Sequence, residues 1–191
     1  ALAMQRKIPE HHLVYGTLKD YLTGEELPET DDEQLRQDLA RMLVEKKGFA
    51  KQDLEPRLTV ETLFNHIFVR STVDLTVSCN GQRLFVLRYG PGSLVTREKS
   101  ALAAARVLDS RCCIPLAVVT NGRDAELLET NKGKVLATGM EAIPDQEQAS
   151  RLIKKYPPAP PLTGAKREQN LRVLNAFDVE VCCQNYALGL F

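Results

Sequence analysis

Leu35, Leu39, Met42 and Leu43 recur every three or four residues after a Thr30-x-x-Glu33 spacing, and the pattern stops at Gly48. That period places them on one helical face, and the threonine three residues ahead of a glutamate is a capping-box spacing. An amphipathic helix of about five turns is predicted. The period then changes. Residues 54–60 alternate in part. In 67–78 the alternation is clear, with Val73, Leu75 and Val77 set against Thr72, Asp74, Thr76 and Ser78, as in a half-buried strand. Asn80-Gly81 signals a tight turn, Leu84 to Tyr89 is a second apolar strand, and Gly90-Pro91-Gly92 ends the resulting hairpin. Ala101, Leu102, Ala105 and Leu108 predict a helix over 97–109, followed by a short buried strand from Ile114 to Val119 that ends at Asn121-Gly122. Strand, helix and strand of these lengths imply a crossover and parallel pairing.

Ala125 to Glu129 and Lys134 to Thr138 predict a further hairpin around Asn131-Lys132-Gly133, and Asp145 caps a helix running to Tyr156. Pro157-Pro158-Ala159-Pro160-Pro161 cannot continue that helix and reads as a stiff spacer, after which Leu171, Leu174 and Phe177 mark a last helix. The stretch through Pro28 reads as a short strand or turn followed by loop. The expected organisation is an N-terminal extension over 1–29 packing on the core, a core over 30–156, and a proline-rich spacer with a C-terminal helix and tail over 157–191.

Composition narrows the possibilities. The 191 residues carry 25 Lys and Arg against 25 Asp and Glu. With zero net charge there is no long-range attraction toward nucleic acid, so DNA contact would need a local patch. No apolar run approaches the roughly 18 residues of a membrane span, and no stretch has the order of a signal peptide; a cytoplasmic protein is expected. The five cysteines, an odd number with two vicinal pairs (Cys112-Cys113 and Cys182-Cys183), lack zinc-site spacing and read as reduced, mostly buried thiols. His11, His12 and His66 are not in ligand spacing with any cysteine or carboxylate. No Gly-rich Lys-Ser/Thr loop is present, so ATP is not an expected partner.

The core order of helix, three strands, helix and strand resembles the N-terminal domain of type I restriction enzyme restriction (R) subunits, a branch of the PD-(D/E)XK superfamily. The residues that carry the likeness are Glu33-Gln34-Leu35-Arg36-Gln37, Val73-Asp74-Leu75-Thr76-Val77 before a glycine turn, the strand Leu84 to Leu87, and Leu116-Ala117-Val118-Val119-Thr120-Asn121-Gly122. It covers residues 30 to 130 and rests on order and spacing. The resemblance implies an α/β, restriction-endonuclease-like core: a mixed central sheet flanked by helices.

Such nucleases use an acid on one hairpin strand and a Glu-x-Lys on the next, because two carboxylates hold Mg²⁺ while the lysine helps activate water. Asp74 matches the first acid. At the second position stand Arg88-Tyr89-Gly90, so a cation replaces the carboxylate and glycine replaces the lysine. The family's glutamine and tyrosine on the following helix correspond best to Ser100 and Ala104. With a bulged loop at Cys79-Asn80-Gly81, Val73, Leu75 and Val77 share a face with Phe85, Leu87 and Tyr89. Asp74 and Arg88 then meet on the other face, where an ion pair stands in for the metal. Asp74 reads either as a surviving metal ligand or as that ion-pair partner, and Glu33 either as the family's helix glutamate near the metal or as a helix cap.

Three readings follow. The first is a stand-alone, catalytically inactive nuclease fold with a DNA-binding or assembly role. It needs no cofactor, would use Arg83, Arg88, Arg97 and Lys99 as a basic rim for duplex DNA, and leaves the C-terminal helix for a second copy or a protein partner. The second is a Mg²⁺-dependent deoxyribonuclease using Asp74, with Glu33 or Glu98 completing the site and Lys99 replacing the lost lysine. The third is a scaffold that binds neither DNA nor metal.

Overall fold

The computed structural model describes residues 13–180. An antiparallel hairpin of β1 (Gly16–Lys19) and β2 (Glu26–Glu29) leads into α1 (Asp31–Arg41). Thr30 caps α1 by accepting the Glu33 N–H at 3.1 Å, and Asp31, Asp32 and Glu33 place negative charge at the positive end of the helix dipole. The helix widens into a π-helical turn over Met42–Lys46 and stops at Gly48, whose φ of 80° suits a residue without Cβ. Its apolar stripe buries Leu39 and Leu43.

Six strands follow as one sheet: β3 (Leu54–Phe64), β4 (Ile67–Cys79), β5 (Gln82–Tyr89), β6 (Leu116–Thr120), β7 (Ala125–Glu129) and β8 (Lys134–Thr138), in spatial order of sequence. Only β5 and β6 pair in parallel, because α2 (Val95–Val107) carries the chain across between them. α3 (Gln146–Lys155) opens with the capping box of Asp145 and Gln148. α1 and α3 cover one face, with Leu75, Phe85, Leu87, Leu116 and Val118 beneath them. α2 and α4 (Gly164–Glu180) cover the other, over Val86, Ala117, Val119 and Leu128. The result is a mixed α/β domain with a six-stranded mixed sheet flanked by helices.

The expected hairpin register is present, but its cause differs. Asn80 and Gly81 form a two-residue turn with φ of 53° and 75°, and Cys79 pairs with Gln82. The extra residue lies inside β5 instead of in the turn. The register slips between Val77 and Ser78, so Val77 meets Phe85 and Leu75 meets Leu87. Leu84 and Phe85 consequently both join the α1-side core with no exposed surface.

The expectation for β4 needs a larger correction. Leu75 and Val77 face α1, but Val73 packs with Val60 and Val86 on the α2–α4 side. The side chains change faces at Asp74. Opposite it, Arg57 adopts φ 55°, and the β3–β4 ladder passes from Pro56↔Leu75 to Leu58↔Val73 without a partner pair between them. A proline followed by a left-handed residue interrupts the regular pleat, which period-2 reading cannot register.

The proline-rich segment lies against the core, where the Cys113 N–H donates to the Ala159 carbonyl at 2.9 Å. α4 then buries Leu174 fully, and Asn175 Nδ2 donates to Thr62 Oγ1 at 3.1 Å and to the Ile67 carbonyl at 3.0 Å. Among the described residues no helix is long and apolar enough to cross a membrane. Cys79 and Cys113 are buried free thiols and Cys112 is half-buried; Cys182 and Cys183 lie outside the described residues, as do His11 and His12. His66 is exposed in the β3–β4 turn.

Candidate functional site

Asp74 points toward α1, where it meets Arg36. The guanidinium donates from Nε and Nη2 to Asp74 Oδ1 at 3.0 and 2.7 Å, and the Tyr89 N–H donates to Oδ2 at 2.8 Å. Nη1 of the same arginine pairs with Glu33 Oε2. One half-buried guanidinium therefore bridges the acid of β4 and the acid of α1. The expected Asp74–Arg88 ion pair does not form, because the face change at Asp74 puts the two side chains on opposite sides of the sheet.

Glu33 does not close the capping box. Its Oε1 accepts from Gln37 Nε2 at 2.8 Å and lies 3.5 Å from Arg57 Nη1. Gln37 Nε2 also reaches Asp20 Oδ2 at 3.1 Å, and Arg57 Nη1 donates there at 2.6 Å. Asp20 Oδ1 accepts the N–H groups of Leu22 and Thr23, both at 2.8 Å. Asp74, Glu33 and Asp20, with the exposed Glu25 3.6 Å from Arg57 Nη2, thus form one network with Arg36 and Arg57, and Gln37 lies between Glu33 and Asp20. Burial alone would raise the Asp20 pKa, but hydrogen bonds from Arg57, Thr23, Gln37 and Leu22 hold it well below the usual carboxylate range. Burial opposes the charge on Arg36, and the charges of Asp74 and Glu33 outweigh it, so its pKa lies above the ordinary value.

On the opposite face Arg88 donates from Nη2 to Asp178 Oδ1 of α4 at 2.9 Å. Arg88 and Arg97 both stack on Phe177, 5.7 and 5.9 Å from the ring centre. Arg97 fills the space beside Gly90, where a Cβ would collide with its guanidinium, and its Nη2 donates to the Pro91 carbonyl at 2.9 Å. Ser100 and Ala104 are buried on α2, with Ser100 Oγ bonded to the Arg97 carbonyl. Glu98 faces Glu126 of β7, away from Asp74, and Lys99 is exposed.

The expected basic rim is divided. Arg83 lies at the start of β5, about 16 Å from Arg88 by strand rise, and binds Glu55 through Nε and Nη2, both at 2.8 Å, and Asp109 through Nη1 at 3.0 Å. Sequence reasoning assigns no role to Arg36, Gln37, Arg57 or Asp20. Arg36 carries one signal, its i,i+3 spacing from Glu33 on a predicted helix; Arg57 and Asp20 carry none, since only the folded chain brings them to the helix.

These elements and this site define a mixed α/β domain with a restriction-nuclease-like core. The chain belongs to the family described as type I restriction enzyme R protein N terminus, whose model matches residues 31–144, more than half of its length. No curated protein and no solved structure matches it.

Proposed function

We propose that this domain is a catalytically silent member of its family, with the metal position of a PD-(D/E)XK nuclease taken by Arg36. The observation that carries the reading is the Arg36 guanidinium shared between Glu33 and Asp74. The residues do not fit Mg²⁺. A hard cation needs carboxylate and carbonyl oxygens turned toward one point, whereas both acids here are turned to N–H donors. Among the described residues no group of three or more His, Cys, Asp or Glu side chains could hold a metal ion. At the lysine position, Arg97 fills the space at Gly90 and is itself stacked on Phe177.

What remains is a binding role, and the surface supports assembly with protein over DNA. Arg83 and Arg88 are neutralised by carboxylates, while the tip of the β3–β4 hairpin exposes Leu63, Ile67 and Phe68. Incubating the folded protein with supercoiled plasmid and Mg²⁺ or Mn²⁺ is expected to leave the plasmid intact. Metal-dependent cutting that is lost in Asp74→Ala would refute silence, and salt-sensitive retention of duplex DNA in a gel would refute the assembly role.

A further inference from the structure

At the other end of the sheet, a cavity of about 520 Å³ opens where the start of β6, the β7–β8 turn, the end of α3, the proline segment and the first turns of α4 meet. This size suits a small organic ligand. Its walls combine Ile114, the prolines and Tyr156 with three cations, Arg106, Lys155 and Lys166, against one carboxylate, Glu129.

Among the described residues Arg106 has no acidic partner. Its Nε and Nη2 donate to the Thr130 carbonyl at 3.0 and 2.7 Å, and Nη1 to Asn170 Oδ1 at a long 3.4 Å. All its partners are neutral oxygens, and a guanidinium has five N–H donors, so some remain for a ligand. Burial holds its pKa below the ordinary guanidinium value, as expected of a cation withdrawn from water without a counter-charge.

We propose that this cavity binds a phosphomonoester with a flat body, of the nucleoside monophosphate class, the phosphate held by Arg106 and Lys166 and the ring system lying against Tyr156 and the prolines. Three cations against one carboxylate suit a dianion better than a single carboxylate. Free nucleotide and the 5′-phosphate of a DNA strand share this chemistry. The site does not depend on the state of the Arg36 network, which lies beyond the opposite end of β5 and β6.

The test is calorimetric titration of the full chain with adenosine 5′-monophosphate, with adenosine, and with a single-stranded oligonucleotide with and without its 5′-phosphate. Binding of the monophosphate at least tenfold tighter than adenosine is expected, weakened tenfold or more by Arg106→Gln and at least threefold by Lys166→Glu. Lys166 is exposed, so its variant keeps the test decisive should Arg106→Gln lose its fold. Preference for the phosphorylated oligonucleotide over the free nucleotide would name the DNA end as the source and still support the site. Heat from neither phosphate probe, equal affinity for adenosine, or unchanged affinity in Lys166→Glu would overturn it.

Discussion

Arg36 and Arg106 are guanidiniums withdrawn from water near opposite ends of one sheet, and their surroundings are reversed. Arg36 is shared by two carboxylates, with Asp20 and Arg57 extending the network behind Glu33. Among the described residues Arg106 donates its side-chain hydrogen bonds to a carbonyl and a side-chain amide. Each charge can be held in place, but the first is already neutralised and the second is not. On the reading proposed above, the first arrangement closes a metal position to a metal, while the second leaves a cavity attractive to an anion. Charge placement alone does not reveal such a difference; it depends on which partner reaches the guanidinium first.

Removing the paired cation is expected to have the largest effect. Arg36→Ala leaves Asp74 and Glu33 as buried carboxylates with an incomplete set of partners, and should cost about 3–5 kcal/mol in urea unfolding. Arg106→Ala strands only the Thr130 carbonyl and should cost about 1–2 kcal/mol. Equal losses in the two variants would remove the contrast.

Acid sharpens the same comparison. Asp20 is held below its ordinary pKa of 3.8 by the network, so its contribution to stability is complete above that value and is lost as pH falls below it. Thermal unfolding should show stability declining below about pH 4, with a flatter acid limb in Asp20→Asn than in the wild type. An unchanged limb would show that the network does not hold Asp20 ionised.

The smallest effect concerns acids that lack a cation. Burial, followed by the charge and hydrogen bond of Glu98, pushes the Glu126 pKa above its ordinary value. A carboxyl with a raised pKa loses stability for the fold as pH rises through the ordinary Glu range and beyond. Glu126→Gln should therefore raise the melting temperature slightly at pH 7, and the gain should vanish below the ordinary Glu pKa of 4.5. A melting temperature lowered at pH 7 would mean that Glu126 is ionised and paired.

Much of the architecture was legible from local pattern. The stripe of Leu35, Leu39 and Leu43 marks α1, Asp145 and Gln148 mark the start of α3, and the helix between β5 and β6 forces their parallel pairing. The pairing of β4 with β5 was legible too, because only one register kept Leu75, Val77, Phe85 and Leu87 together. The position of the bulge was not, since a strand can absorb an extra residue wherever both neighbouring side chains find the core, as Leu84 and Phe85 do.

Local pattern along the chain set the elements and their order, because helix and strand periods are local properties. Only the tertiary structure decided which cation met which acid. Arg36 and Asp74 are 38 residues apart and Arg88 and Asp178 are 90 apart, and a left-handed Arg57 on the neighbouring strand sends Asp74 to one face of the sheet and leaves Arg88 on the other. Ion pairs follow from where side chains point in space, and that direction is set by strands and helices that the local pattern does not connect.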